Sequence, residues 1–167
     1  TVGRSGGTGG SLRAGLHDDA DRAQSPAVDP GPARFVVDAM LGRLARWLRL
    51  LGHDTLYDPS ADDRELARCA AATGRILLTR DRGLLARRLV TRGVLVEHDD
   101  LAGQLRQVSA ACGLALDPAR CFTRCPSCNA ETVDAAPEAV SGRVPPYVLR
   151  THERFRACPG CSRVYWA

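Results

Sequence analysis

Four cysteines near the end of the chain form two Cys-x-x-Cys pairs, each with proline after its first cysteine: Cys125 with Cys128, and Cys158 with Cys161. Two such pairs place four soft thiolates on two tight turns, and tetrahedral zinc fits this donor set. Four cysteines leave no open coordination position, so we expect a structural zinc. A thioredoxin-like redox site would instead need one pair at the start of a helix.

The three remaining cysteines stand outside this pattern. Cys69 and Cys112 lie in predicted helices and are expected to be small buried residues. Cys121 is close enough to Cys125 to serve as a substitute ligand, but we expect it not to bind the metal.

A second group able to do chemistry consists of aspartates that follow short apolar runs. Asp38 follows the first run, Asp63 opens the helix after the second, Asp81 follows the third, and Asp99 and Asp100 follow the fourth. The carboxyl ends of parallel strands meet at one edge of a sheet, so these carboxylates should converge. Converging carboxylates favour Mg²⁺ or Mn²⁺, which can activate water for phosphodiester hydrolysis.

Helix capping is the competing interpretation of the same aspartates, because aspartate is a preferred residue at helix N-termini. It fits Asp62, Asp99 and Asp100 better than a catalytic role does. Asp38 directly follows a strand that should be central, and Asp81 follows the third strand by one residue; we favour a functional role for both.

Arginines accompany these carboxylates. Arg43, Arg46 and Arg49 recur at a spacing of three on the first predicted helix, opposite its leucines, and Arg80 and Arg82 flank Asp81. Arg43, Arg46, Arg80 and Arg82 are therefore candidates for binding the phosphates of a nucleic acid. The alternative is a solvated helix face with no ligand.

The elements that position these residues are four strand-helix units. Each has a short apolar run followed by apolar residues at helical spacing, and the connections are short, which predicts an α/β fold with a parallel sheet covered by helices. The predicted strands are Phe35-Val36-Val37, His53 to Tyr57, Ile76 to Thr79 and Val94 to Val96; the predicted helices lie around residues 41–51, 62–73, 84–89 and 99–112.

Composition narrows the classes of function. The 167 residues carry a net charge of +4, and all 23 basic residues are arginine. Without lysine, a Walker-type phosphate loop and Schiff-base chemistry are excluded. No G-x-G-x-x-G follows the first strand, which disfavours a Rossmann dinucleotide site.

The chain divides into three predicted parts. Residues 1–33 are rich in Gly, Ser, Ala, Pro and Asp and are predicted to be a disordered linker. Residues 34–120 hold the sheet, and residues 121–167 hold the cysteine pairs. No apolar run is long enough to span a membrane and no apolar leader segment is present, so a cytoplasmic location is expected.

Three stretches together resemble the Mut-seven C-terminal RNase family, in which a PIN-like nuclease domain is fused to a zinc ribbon. The match covers roughly residues 34–167. The stretches are Arg34 to Asp38, Met40 to Gly52 and Arg75 to Asp81, and the end of the chain agrees through Arg124 to Asn129, Gly142 to Tyr147 and Cys158 to Trp166.

The resemblance implies a PIN-like parallel sheet flanked by helices, a small zinc ribbon and a metal-dependent ribonuclease acting on RNA. It implies that Asp38, Asp63 and Asp81 hold Mg²⁺ or Mn²⁺, with Asp99 or Asp100 as a fourth acid. Members of the family often carry a ubiquitin-like domain upstream. A non-catalytic RNA-binding or adaptor module, using the arginine-rich surface and the ribbon, is the alternative function.

Overall fold

The protein is described by a computed structural model that covers residues 33–166. The predicted linker, residues 1–33, lies outside this range except for its last residue.

A four-stranded parallel sheet forms the first part of the structure, in the order β2-β1-β3-β4. The first strand pairs with the second on one side and with the third on the other, so that Val36 lies between Leu56 and Leu77. The predicted parallel α/β sheet is thus confirmed, with the first strand at its centre. The strands are β1 (Phe35–Val37), β2 (Thr55–Tyr57), β3 (Ile76–Thr79) and β4 (Gly93–Leu95).

Helices cover both faces of this sheet. Alternate residues of β1 point to opposite faces: Phe35 and Val37 pack in one buried cluster with residues of α1 and α4, whereas Val36 packs in another with residues of α2 and α3. The helices are α1 (Gly42–Leu50), α2 (Asp63–Thr73), α3 (Arg82–Leu85) and α4 (Leu101–Cys112).

Helix α2 begins and ends as the sequence predicts. The Asp62 carboxylate accepts a hydrogen bond from the Glu65 amide, and the Glu65 side chain accepts one from the Asp62 amide. Gly74 ends the helix in the left-handed conformation.

The third helix is shorter than predicted. The apolar spacing predicts that it continues through Leu89, which was wrong, because α3 ends at Leu85 and Leu89 is half exposed. The chain must turn back here to reach β4 at Gly93. A Cβ atom on Gly93 would lie only 2.3 Å from the Leu85 side chain, so these two residues pack in direct contact.

Residues 121–166, which we call the C-terminal module, contain a three-stranded antiparallel sheet in the order β5-β6-β7. Two short helices, each with proline in its first turn, lie between β5 and β6 and were not predicted. Their valines pack with Phe155 in a separate small core. The elements are β5 (Val133–Ala135), α5 (Pro137–Val140), α6 (Pro146–Thr151), β6 (Phe155–Ala157) and β7 (Val164–Trp166).

The sheet and the module belong to one compact unit and are joined by polar contacts at the amino end of β2. The Asn129 side chain accepts a hydrogen bond from the Thr55 amide at 3.0 Å and donates one to the Asp54 carboxylate at 2.7 Å. Arg75 binds the other oxygen of that carboxylate at 2.7 Å. Burial raises the pKa of Asp54, but the hydrogen bonds from Arg75 and Asn129 outweigh it, and the pKa is lowered.

Arg49 makes the second connection, and its place differs from the sequence-based expectation. The prediction that Arg49 shares the exposed face with Arg43 and Arg46 was wrong, because Arg49 is only 7% exposed. Its guanidinium donates to the carbonyl of Thr55 at 2.8 Å and to those of Pro126 and Ser127 at 3.3 and 2.9 Å. The last two carbonyls belong to the first cysteine turn.

Histidine 53 is buried beside the same contact region. Its ring lies edge-on to Phe35, 4% of the residue is exposed, and its Nδ1 atom has no hydrogen-bond partner. Burial, together with the charge of Arg120, lowers the pKa of His53.

Within residues 33–166, every helix is too short or too polar to cross a membrane.

We predict that Asn129→Gly lowers the free energy of unfolding by about 2 to 3 kcal/mol, because it removes two hydrogen bonds, one of them to a carboxylate. Glycine tolerates the left-handed φ of 69° at this position, so the backbone is not strained. Ser162→Gly is the matched control, since Ser162 has a φ of 59° at the corresponding place in the second cysteine turn. Urea unfolding that shows equal effects for the two variants would contradict the prediction.

We also predict that His53 makes stability depend on pH. Because its folded pKa is lowered, the unfolded chain takes up a proton first as the pH drops below about 6.5, so the contribution of His53 is present above that pH and is lost below it. His53→Gln should flatten the curve of unfolding free energy against pH between about 7.5 and 5.5, the window in which the histidine of the unfolded chain takes up its proton. A curve that keeps its wild-type slope in His53→Gln would show that another group titrates.

Candidate metal centre and aspartate rim

The four paired cysteines meet at one point of the C-terminal module. Their sulfur atoms all lie within 4.8 Å of one another. Two of the separations are 3.5 Å, between Cys125 and Cys161, and 3.4 Å, between Cys128 and Cys158. Tetrahedral zinc with Zn–S bonds of about 2.3 Å requires sulfurs about 3.8 Å apart. The donor set therefore fits a structural zinc ion.

The two cysteine turns have the same backbone construction. In each turn the first cysteine accepts a backbone hydrogen bond at 2.9 Å from the residue after the second cysteine, Asn129 or Ser162. Both of these residues have a positive φ. Gly160 packs against the sulfurs, since a Cβ atom there would lie 3.4 Å from the Cys128 sulfur. The turns thus present their sulfurs from a fixed backbone.

Hydrogen bonds around Cys125 favour its ionised form. Burial alone raises the pKa of the thiol, but the Tyr165 hydroxyl, 3.0 Å from the sulfur, and the amides of Cys128 and Ser127 hold the pKa of Cys125 at about 6. Burial raises the pKa of Cys158 to about 12, so this thiol is protonated at neutral pH. It ionises there only when a cation neutralises the charge of the thiolate. Such supporting groups orient and tune metal ligands.

The other cysteines take no part in this cluster. Cys121 is partly exposed and its sulfur lies 3.9 Å from the Asp117 carbonyl. Cys69 and Cys112 are half buried and pack against the two clusters of the parallel sheet.

Asp38 and Asp81 lie on the carboxyl edge of the parallel sheet and are connected by Thr79. We call these two residues, together with Asp63, Asp99 and Asp100, the aspartate rim. The Thr79 hydroxyl donates to the Asp38 carboxylate at 2.7 Å and accepts from the Asp81 amide at 2.9 Å. Thr79 has no exposed surface. The sequence motif Thr79-Arg80-Asp81 contained this residue, but only the structure assigns it this linking position.

The two aspartates differ in their capping roles. Asp38 makes no side-chain cap for the 3₁₀ turn that follows it, at Ala39–Leu41. Asp81 does cap α3, because one of its oxygens accepts from the amides of Gly83 and Leu84 at 2.6 and 3.2 Å. The capping interpretation therefore applies to Asp81 and not to Asp38.

Tyr57 fixes the backbone next to Asp38 and was not recognised from the sequence. Its hydroxyl donates to the Ala39 carbonyl at 3.1 Å. A Cβ atom at Gly42 would lie 2.6 Å from that hydroxyl, so glycine leaves the space that the tyrosine occupies. A tyrosine at the end of a strand gave no sequence signal for this contact.

The other predicted acids are engaged by arginines or by a helix. Asp63 pairs with Arg87 at 3.0 Å and Asp99 with Arg80 at 2.6 Å. Asp100 caps α4 by accepting from the Gly103 amide, which lowers the pKa of Asp100. Within residues 33–166, the cysteines are the only group of three or more potential ligand side chains that the structure brings this close together.

The predicted phosphate-binding arginines are divided between two places. Arg43 and Arg46 are exposed on α1. Arg80 and Arg82 lie beside Asp81, where Arg82 pairs with Glu97 at 3.1 Å across an exposed surface. Ion pairs this exposed contribute little energy, so a phosphate can displace them.

A comparison with protein families matches residues 33–167 to the model described as the Mut7-C RNAse domain. The chain belongs to this family. Comparisons with curated proteins and with solved structures gave no match. Membership indicates a nuclease or RNA-related role, with RNA as the substrate class, and the predicted family resemblance is confirmed. In this Mut7-C RNAse domain, the matched range includes both the aspartate rim and the cysteine cluster.

We predict that the Mut7-C RNAse domain binds one zinc ion per chain. Cys128→Ser should abolish this binding, because a structural site needs all four ligands, and should lower the thermal midpoint. Cys121→Ser is the control and should keep the full zinc content. Elemental analysis of protein purified without chelator measures the zinc content of the wild type and of both variants. A zinc-free wild type, or an equal loss of zinc in the two variants, would refute the assignment.

Proposed function

We propose that the protein is a ribonuclease that hydrolyses RNA phosphodiesters with Mg²⁺ or Mn²⁺ at the carboxyl edge of a PIN-like sheet. The observation that carries the proposal is the Thr79 hydroxyl, which joins Asp38 and Asp81 on that edge. Asp38 and Asp81 follow neighbouring parallel strands, and carboxylates gathered at that edge repel one another unless a cation neutralises them. Family membership supports RNA as the substrate.

The donor atoms are suited to a hard cation. Among residues 33–166, Asp38 and Asp81 each use one carboxylate oxygen in hydrogen bonds and keep the other without a protein partner. Oxygen ligands are those that Mg²⁺ and Mn²⁺ prefer. We assign Asp38 and Asp81 as the principal ligands, with Asp63 as a third and Asp99 or Asp100 as a fourth acid of the site.

A bound cation of this kind supplies a more acidic water molecule and neutralises charge on the phosphate. The protein side chains hold the metal ligands in place and position the RNA strand. Thr79 and the Asp81 cap hold the two carboxylates in fixed positions, since both groups are tied to the backbone that follows β3. Arg80, Arg82, Arg43 and Arg46 bind the backbone phosphates and orient the strand.

A non-catalytic RNA-binding or adaptor role is the second candidate. It is favoured by one observation: Asp63, Asp99 and Asp100 already have partners in the structure. If those contacts persist, the rim holds too few free carboxylates for metal catalysis, and the exposed arginines remain as a binding surface. The following experiment separates the two roles.

We predict that Asp38→Asn reduces cleavage of RNA by at least about 100-fold while RNA binding is retained, because it removes a charge that a hard cation needs. Asp81→Asn should have a similar effect and should fold normally, since asparagine caps a helix as well as aspartate does. Cleavage of single-stranded and structured RNAs is measured in Mg²⁺ and in Mn²⁺.

Asp62→Asn is the matched control, because Asp62 caps α2 and has no other role in the proposal. It should cleave as the wild type does. Cleavage that survives in both rim variants would overturn the assignment of the acids. A folded, zinc-loaded wild type that binds RNA but leaves every RNA intact would establish the adaptor role.

A further inference from the structure

A cleft of about 610 Å³ opens on the C-terminal module, away from the residues assigned above. Aromatic rings and arginines line it together, and those that matter here are Phe122, Tyr165, Trp166, Arg154 and Arg156. Apart from the Tyr165 hydroxyl, which contacts the Cys125 sulfur, no function proposed so far uses these side chains. Their combination is typical of surfaces that bind unpaired nucleotides.

The aromatic rings are held in place by the module itself. Phe122 and Tyr165 lie with ring centroids 6.1 Å apart and tilted by 33°. The Tyr165 hydroxyl contacts the Cys125 sulfur at 3.0 Å, which fixes the ring to the first cysteine turn. Trp166 meets the His152 ring edge-on at 6.4 Å and is still 38% exposed. Rings fixed in advance lose little conformational entropy when a ligand stacks on them.

The charges in the cleft favour a base over a phosphate group. Arg154 and Arg156 are balanced there by Asp134 and Glu153, and Arg156 pairs with Asp134 at 2.6 Å. A phosphate would meet the two carboxylates at close range. A neutral base meets aromatic faces, and its amino groups find carboxylate acceptors.

We propose that this cleft binds unpaired bases of single-stranded RNA by stacking on the exposed ring of Trp166. The proposal rests on RNA being the substrate of the family domain. The module contacts the amino end of β2 at Asp54 and Thr55, whereas Asp38 and Asp81 lie at the carboxyl edge. The cleft therefore holds a stretch of the strand other than the one at the acids, and it selects RNA whose bases are accessible.

Binding of a short, fluorescein-labelled, unstructured RNA strand to the zinc-loaded full chain tests this, in buffer without added Mg²⁺ or Mn²⁺. Trp166→Ala should weaken binding about fivefold to 100-fold, the range for loss of one stacked base, and Arg154→Ala should weaken it in the same direction. The controls are Tyr147→Ala and Arg150→Ala, which change an exposed aromatic residue and an arginine on α6, outside the cleft. They should change affinity by less than about twofold.

A second readout does not depend on mutating the cleft. Trp47→Phe leaves Trp166 as the only tryptophan of the chain. Stacking of a base should quench its fluorescence when the single strand is added, and the same sequence as a duplex should quench it much less. Zinc content and thermal midpoint, measured on every variant, confirm that each is folded.

Adding Mn²⁺ to the same samples separates this proposal from the ribonuclease proposal. If the wild type cleaves RNA and the cleft variants bind RNA as tightly as the wild type, the cleft proposal is overturned and the ribonuclease proposal is supported. Binding that depends on Trp166 without any cleavage would support the cleft and refute the nuclease. Absent binding of the single strand, or equal quenching by the duplex, would overturn the cleft proposal.

Discussion

The buried guanidinium of Arg49 is the interaction on which the two parts of the structure depend. It lies between the last turn of α1, the start of β2 and the first cysteine turn, and its three acceptors are all backbone carbonyls. Burial lowers the pKa of Arg49, and the nearby Cys125 and Cys128 act in the opposite direction. A zinc ion held by four thiolates would carry a net charge of −2, which would offset part of the cost of burying the Arg49 cation. Arg49 thus ties the first cysteine turn to the parallel sheet.

The sequence predicts residues whose position follows from a strand or from a local motif. Asp38 could be placed because it ends a continuous apolar strand, and the cysteine pairs because their spacing defines a ligand set. The burial of Arg49 could not be predicted in this way. On a helix, a side chain three residues further on points about 60° away from the first, so the two steps from Arg43 to Arg49 carry the side chain from the solvent face to the buried face. Asn129 and Thr79 take their partners from distant segments, and no local pattern encodes such contacts.

Under the proposed function, the aspartate rim combines structural and chemical roles in the same side chains. Asp81 caps a four-residue helix with one oxygen and offers the other to solvent. Asp63 and Asp99 are exposed enough to exchange an arginine for another partner at small cost. Capping and ligand binding are therefore not exclusive, and a residue with a capping signature in the sequence can still contribute a ligand. Helix termini at the end of a parallel sheet provide both a fixed carboxylate and an open approach.

The connection between the sheet and the C-terminal module also determines the order in which contacts form during synthesis. Its hydrogen bonds join residues separated by 74 to 78 positions, such as Thr55 with Asn129 and Arg49 with Ser127. During translation, Arg49 and Asp54 therefore leave the ribosome long before their partners exist. Until the first cysteine turn has been made, the amino end of the parallel sheet presents unpaired polar groups and remains its least protected edge. Contacts this distant in sequence close late, so the docking of the first cysteine turn on the sheet belongs to the final steps of folding.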